Sequence, residues 1–423
     1  GDSARRPDAG PKVQGRFSFS SDAWATNMLW GATLRSTHAH ARIVAVDVSA
    51  ALAINGVSCV LTADDVPGLP TYGLIDADQP VFARDVVRYV GEPIAAVAAD
   101  HPETCRRALQ AIRVEYEPLP TLTDPLRAAD PATAPIHPRG NVLRHQRIRR
   151  GDPDATGPIV VEGTYEIGMQ DQAFLGLEAA LAMPDDDGAG LELYVATQWL
   201  HEDRKQIAAC LALDPERVRL TLGGVGGAFG AREDISLQVH CALLCLRTRR
   251  PIKMQYGREE SFLGHVHRHP ARIWMRHHAE RDGRLVKVEA KFWLDGGAYA
   301  STSSAVLINA ITHAQGPYRC AHAVVDGWAL RTNNPPCGAM RGFGAVQTCF
   351  AHEAQMDLLA DTLGIDRVEL RLRNALQTGD TLVTGQRLTG AIPVAEVIRT
   401  CAEAPLAASP AERQRHSMLR GGL

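Results

Sequence analysis

Five of the eight residues from Gly223 to Gly230 are glycine, in the stretch "GGVGGAFGARE" that ends at Glu233. Glycine lets a backbone approach another group closely and take positive φ. The stretch is therefore a loop, and its spacing decides which kind. A dinucleotide fingerprint needs G-x-G-x-x-G, and the position three after Gly226 is Phe229. A P-loop needs Gly-Lys-Ser/Thr at its end, and none follows. Two physical readings stay open. Consecutive backbone N–H groups can make an anion-binding concavity, or the glycines can serve only a tight turn between a strand and a helix.

The flanks place this loop. "RVRLTL" before it has the pattern of a strand, and "DISLQVHCALLCLRT" after it that of a helix. Orphan N–H groups at the start of that helix would point outward, which favours the anion site. Upstream, strands and helices alternate from Met28 to Pro118. "MLWGATLRST", "HARIVAVDVS" and "VRYVGEPIAAVAA" read as strands, and a helix follows with Asp100 as its cap and Glu103 in capping-box spacing. Residues 119–157, rich in Pro, Asp and Ala, suit a connector. Further on, "PIVVEGTYEIG" and "LELYVATQ" are strand-like, and "EDRKQIAACLAL" is helical. A hairpin is expected around Asp282–Gly283. A helix should close at Gly364, and Asp366 should cap the next one. The class is α+β. The expected division is a tail at 1–15, an α/β unit at 16–120, a connector at 121–157, a larger mixed domain at 158–400, and the start of a further element at 401–423. The ending "SMLRGGL" reads as a chain divided at a natural joint.

A net charge of −3 gives no electrostatic basis for binding nucleic acid or an anionic membrane. No apolar run reaches membrane-span length, and "GDSARRPDAGPK" has no signal core, so a cytoplasmic location is expected. Nine cysteines are scattered without a C-x-x-C pair, which argues against zinc ribbons and iron–sulfur clusters. Cys241 and Cys245 fall on one apolar face of a helix and read as buried structural thiols. In "HVHRH", alternating His265, His267 and His269 could chelate a metal on one face of a strand. They are not assigned as ligands.

Two further segments carry the glycine–aromatic signature. "QAFLGLE", Gln172 to Glu178, follows a strand, and "GAMRGFGAVQ", Gly338 to Gln347, joins a strand to a helix. With "GGVGGAFGARE", which resembles a G-G-G-F-G-G-K-E loop, the set resembles the molybdopterin-binding large subunit of the xanthine dehydrogenase and aldehyde oxidase family. "AMRGFGAVQ" resembles that family's A-F-R-G-F-G-x-P-Q loop. "STHAHARIVAVDVS" and "VRYVGEPIAAVAA" resemble its N-terminal hammerhead domain. The likeness runs from about Arg6 to the end of the chain.

The resemblance implies a fold and a chemistry. A hammerhead domain would precede a larger molybdopterin-binding domain. Molybdenum would be held by the pterin dithiolene, with no protein ligand to the metal, and the cofactor would be in its cytosine dinucleotide form. Gln172, Gly226, Gly227, Phe229, Gly230, Arg341 and Gly342 would contact the cofactor. Glu233 and Arg341 would be catalytic. Glu233, Asn309 and Phe343 would bind substrate, with Asn309 where purine enzymes carry an arginine. The family's general-base glutamate lies beyond "RGGL", so a second molybdopterin-binding half or subunit is expected to supply it. Iron–sulfur (2Fe-2S) and FAD subunits would carry the electrons away. The implied reaction is hydroxylation of a purine, hypoxanthine or xanthine, or of a related N-heterocycle, with water as the oxygen source. The alternatives are a nicotinate- or aldehyde-oxidising subunit, or an inactive orphan fragment. Carbon monoxide dehydrogenases place a copper-binding cysteine at the position of Gly338, and Cys337 stands one residue away.

Overall fold

The strand Leu29–Arg35 takes its neighbours from distant parts of the chain. In the computed structural model, which describes residues 3–404, it runs antiparallel to Pro93–Ala99 and parallel to Ile252–Gln255. A seven-stranded sheet results, in the order Val218–Leu222, Leu191–Val195, Ala179–Pro184, Ile252–Gln255, Leu29–Arg35, Pro93–Ala99, Val57–Leu61. The N-terminal unit and the larger domain thus share one sheet. They also share one core, in which Leu29, Leu61 and Ala96 pack in the same cluster as Leu193, Ile207 and Leu244. Pro93–Ala99 is buried along its whole length. Its small side chains suit a central strand with helices packed on it, Pro102–Ala111 and Gln238–Thr248. Cys241 and Cys245 lie buried in the second of these helices, as their spacing implied.

A three-stranded sheet, Val86–Val87, Ala41–Asp47 and Arg113–Pro118, completes the N-terminal unit. The helix Pro102–Ala111 is capped by His101 and not by Asp100. The His101 ring nitrogen accepts from the N–H of Glu103 at 3.1 Å. Pro102 fixes the first helical position, so the residue before it must be extended and becomes the cap.

A second sheet of five strands runs Ile159–Ile167, Ala271–Ala279, Leu285–Asp295, His322–Leu330, Val142–Arg150. The last strand corrects the expected connector. Val142–Arg150 pairs antiparallel with His322–Leu330 along its length, so only the preceding part of 121–157 links the domains. Its alternation was hidden because its outward side is arginine-rich. Arg149 meets Asp326 at 2.8 Å on the neighbouring strand. The hairpin turns at Asp282–Gly283 as expected, with Gly283 at φ +86°. Helix Ala345–Leu363 contacts this sheet and closes at Gly364 in the left-handed region. Asp366 caps Arg367–Asn374 by accepting from the N–H groups of Val368 and Glu369. The expected tail carries a short helix, Ala9–Val13. From residue 405 on, the segment expected at 401–423 lies outside the described residues.

Two buried polar contacts lock the N-terminal unit to the rest. Arg331 meets Asp78 at 2.9 Å, and the Tyr299 hydroxyl donates to Glu92. Asp78 also accepts from the N–H of Ala300 at 3.0 Å. Leu74 and Ile75, just upstream of Asp78, line the cavity described next. Among the described residues, no helix is long and apolar enough to cross a membrane.

Candidate active site

The glycine segment enters from the strand Val218–Leu222 but does not run straight into a helix. The next helix starts at Gln238. Just ahead of it, Gln238 Oε1 accepts from the N–H groups of Ser236 and Leu237 at 2.8 and 2.9 Å. The loop's N–H groups are therefore not those of a helix N-terminus, which corrects the expected setting.

Close approach is what the glycines provide. The Gly176 N–H donates to the Gly226 carbonyl at 3.0 Å, and a Cβ on Gly226 would sit 2.6 Å from the Gly176 Cα. Gly230 has φ +111°, and a Cβ there would meet the Ala339 carbonyl oxygen at 2.5 Å. The Arg341 N–H donates to the Phe229 carbonyl at 2.8 Å. The "GGAFGARE" and "AMRGFG" loops are thus joined backbone to backbone. Phe229 and Phe343 both sit in the left-handed region, at φ +52° and +49°. That conformation costs a bulky side chain on the order of 1–3 kcal/mol.

A cavity of about 570 Å³ opens where these loops meet. Phe229, Glu233, Arg341 and Phe343 line it, with Trp199 and Thr302. The sequence motifs, more than a hundred residues apart, therefore converge on one space. Partial burial raises the pKa of the Glu233 carboxyl. Beside it, burial pushes Asp234 up to about 7, the Glu233 charge adds to this, and a 3.0 Å hydrogen bond from Ser301 Oγ opposes it.

Four assigned residues stand elsewhere. Asn309 does not line the cavity. Its amide donates to the Phe343 carbonyl at 2.7 Å, so it holds the loop's backbone. Gly226 faces Gly176, and neither it nor Gly227 lines the cavity. Gln172 lies behind the wall, donating Nε2 to the Ala339 carbonyl at 2.8 Å, while its Oε1 is buried without a protein partner. Gly230 and Gly342 do line the space. Cys337 is fully buried, and a Cβ at Gly338 would lie 2.4 Å from Ser301 Oγ. Neither position presents a thiol to the cavity.

Two residues without an assigned role organise the site. Arg232 donates to the carbonyls of Gly227 at 2.9 Å, Ala196 at 3.3 Å and Gly176, and lies over the Phe174 ring at 4.4 Å. A loop with several inward carbonyls needs a side chain with many donors in a fixed fork, which is what arginine supplies. Gln198 accepts from the Gly230 N–H at 3.0 Å and reaches Glu233 with its amide at 3.5 Å. It follows the strand Leu191–Val195, in a stretch with no local motif to mark it.

Comparison with known proteins matches this arrangement. Residues 136–375 match the molybdopterin cofactor-binding domain, and residues 14–120 match the aldehyde oxidase and xanthine dehydrogenase a/b hammerhead domain. The chain is 39% identical over 399 residues to the nicotinate dehydrogenase large molybdopterin subunit of Eubacterium barkeri, covering 94% of each. It is 37% identical over 404 residues to a probable xanthine dehydrogenase subunit of Bacillus subtilis (strain 168), covering 95% of this chain and 54% of that one. The chain thus spans about half the length of the second relative and nearly all of the first. The aldehyde oxidoreductase structure from Desulfovibrio gigas superposes with a TM-score of 0.89 at 28% identity, over 94% of this chain and 45% of that one.

Proposed function

Because the chain belongs to the molybdopterin-binding family of xanthine dehydrogenases and aldehyde oxidases, we propose that it is the cofactor-binding subunit of a hydroxylase for N-heteroaromatic substrates, purines first among them. The observation that carries this reading is the cavity in which Phe229 and Phe343 stand with Glu233 and Arg341. Aromatic walls grip and orient a flat ring. A carboxyl raised by burial can donate a hydrogen bond to a ring nitrogen or accept one from a ring N–H.

The residues present fit a molybdopterin cofactor. A buried acceptor without a partner costs on the order of 1–3 kcal/mol, and Gln172 Oε1 is such an atom beside the wall of this cavity. A donor on a bound cofactor would satisfy it. Phe229, Gly230, Arg341 and Gly342 would line the same group from the cavity side. When bound, the molybdenum centre supplies transfer of a water-derived oxygen to a ring carbon and takes up the hydride. This chain's part is to hold the ring between Phe229 and Phe343, to bond it through Glu233, and to fix the wall through Gln172, Asn309 and Arg232. The reading includes a cytosine dinucleotide form of the cofactor and a second molybdopterin-binding segment or subunit that carries the proton acceptor. It also includes 2Fe-2S and FAD partner chains and a cytoplasmic location.

Nicotinate is the second substrate reading. The chain matches the Eubacterium barkeri subunit over nearly the full length of both, and Arg341 places a guanidinium at the cavity where a carboxylate could be taken. One experiment separates the possibilities. The subunit is expressed with its genomic neighbours and assayed on hypoxanthine, xanthine, nicotinate and benzaldehyde. Turnover of a purine is expected, with Glu233→Gln lowering kcat/KM about 100-fold. Turnover of nicotinate alone, lost in Arg341→Met, selects the second reading. Turnover of the aldehyde alone overturns both.

A further inference from the structure

Behind the cavity wall, Asp171, His265 and His267 bring one carboxylate oxygen and two imidazole nitrogens within 4.8 Å of one another. Asp171 Oδ2 lies 3.0 Å from His265 Nε2 and 3.3 Å from His267 Nε2. The other nitrogen of His265 faces Glu178 Oε1 at 2.7 Å. The side chains of His265, His267 and Glu178 are 2%, 5% and 4% exposed. At these distances the groups can pair as ions, but their hydrogen-bond angles are poor. Asp171 Oδ2, both nitrogens of His265 and both oxygens of Glu178 lack a hydrogen-bond partner of acceptable geometry. Only His265 Nε2, His267 Nε2 and Asp171 Oδ2 share one point, with Glu178 on the far side of the His265 ring.

We propose that this cluster is a divalent-cation site, suited to zinc, with His265 Nε2, His267 Nε2 and Asp171 as ligands and Glu178 supporting His265 from behind. Two imidazoles and a carboxylate are the borderline donor set that zinc takes, and a water would take the fourth tetrahedral position. A metal-bound histidine donates its second ring N–H to a carboxylate, which fixes its tautomer and orientation. Glu178 stands where that partner belongs. A dication would also neutralise the half-buried Asp171 and the buried Glu178 together. His267 Nε2 faces the Phe262 carbonyl at 2.9 Å as well. Without a cation it can donate there, and metal binding would release that proton. The third histidine of "HVHRH" takes no part, since His269 is turned to Ser303 Oγ at 2.8 Å.

The position suggests the role. Asp171 directly precedes Gln172, which holds Ala339. The His267 N–H donates to the Pro336 carbonyl at 3.1 Å, and the Gly338 N–H donates to the His267 carbonyl at 2.9 Å. A cation would staple the Gln172 loop to the segment leading into the Ala339–Phe343 wall. This site stands independently of the substrate reading.

The test uses the enzyme purified with its partner chains, stripped with a chelator and then dialysed against zinc chloride. The wild type is expected to hold one more zinc per chain than His267→Gln or Asp171→Asn, and only the wild type should gain thermal stability on zinc addition. Equal zinc in wild type and folded variants would overturn the site. If the variants do not fold, cobalt decides. One equivalent of cobalt added to the stripped wild type should give the visible absorption of a tetrahedral nitrogen–oxygen site, displaced by one equivalent of zinc, and a spectrum of aqueous cobalt only would overturn the proposal.

Discussion

Gln172 donates its side-chain amide to the carbonyl of Ala339 at 2.8 Å, while its own Oε1 stays buried with no protein partner. One half of the amide is structural and the other is free for a ligand. Gln172→Ala should therefore cost only about 1 kcal/mol of stability, the worth of one hydrogen bond. Its effect on the assembled enzyme should be larger, at least 10-fold in kcat or a matching loss of molybdenum content. Thermal denaturation beside metal analysis of the same preparation checks both. Normal metal and normal kcat would remove Gln172 from the site.

Arg232 ties three loop carbonyls to one guanidinium. Arg232→Met keeps the length of the side chain and removes every donor. The expected loss is about 3 kcal/mol, because buried carbonyls are left unpaired. Denaturant unfolding measures it, and a loss below about 1 kcal/mol would show that water replaces the guanidinium.

Phe229 is half exposed and holds a left-handed backbone. Phe229→Gly relieves the strain, deletes little buried surface and adds chain entropy to the unfolded state. Stability should stay within about 1 kcal/mol of the wild type, while KM for the aromatic substrate rises. A fall in stability of several kcal/mol would mean that the ring is a packing element.

Glu92, Asp203 and Asp234 are each pushed up to about 7, chiefly by burial. In the unfolded chain such carboxyls ionise near pH 4. Between about pH 4 and 7 the folded state therefore keeps protons that the unfolded state has lost. The stability contributed by each group is complete below pH 4 and falls as pH rises through the folded value. Asp234→Asn should gain on the wild type across this window, by at most about 1.4 kcal/mol per pH unit, and the difference should level off above it. Unfolding free energies of the pair from pH 5 to 8 test this. A difference that does not change with pH would mean that Asp234 is ionised in the fold throughout.

Reading the sequence reached the fold class and the order of its two domains, and it marked loops that the fold brings together. Glycine, arginine and phenylalanine in "GGVGGAFGARE" and "GAMRGFGAVQ" are marked because their backbone demands are local, and the loops do meet at Phe229 and Arg341. What stayed hidden was set by tertiary partners. Asn309 has the chemistry of a substrate contact, yet a helix places it against the Phe343 carbonyl. The strand Val142–Arg150 lay inside a stretch whose composition suggested a connector, and only its pairing with His322–Leu330 settles it. Asp171 could not be joined to His265 from sequence, because they lie on separate loops. The helix cap moved from Asp100 to His101 because proline geometry outranked the capping-box pattern.

The register of Leu29 with Ile252 also dictates when this protein can fold. A ribosome adding about 5–20 residues per second leaves Leu29–Arg35 without one neighbour for on the order of ten to fifty seconds after it emerges. In that interval Pro93–Ala99 can pair with it on one side, with Val57–Leu61 paired beyond that strand, while its other edge stays open to any extended segment nearby. The N-terminal unit expressed alone would keep that open edge permanently, so aggregation of the isolated unit is built into the strand order, and the nascent chain needs protection until Gln255 has been made.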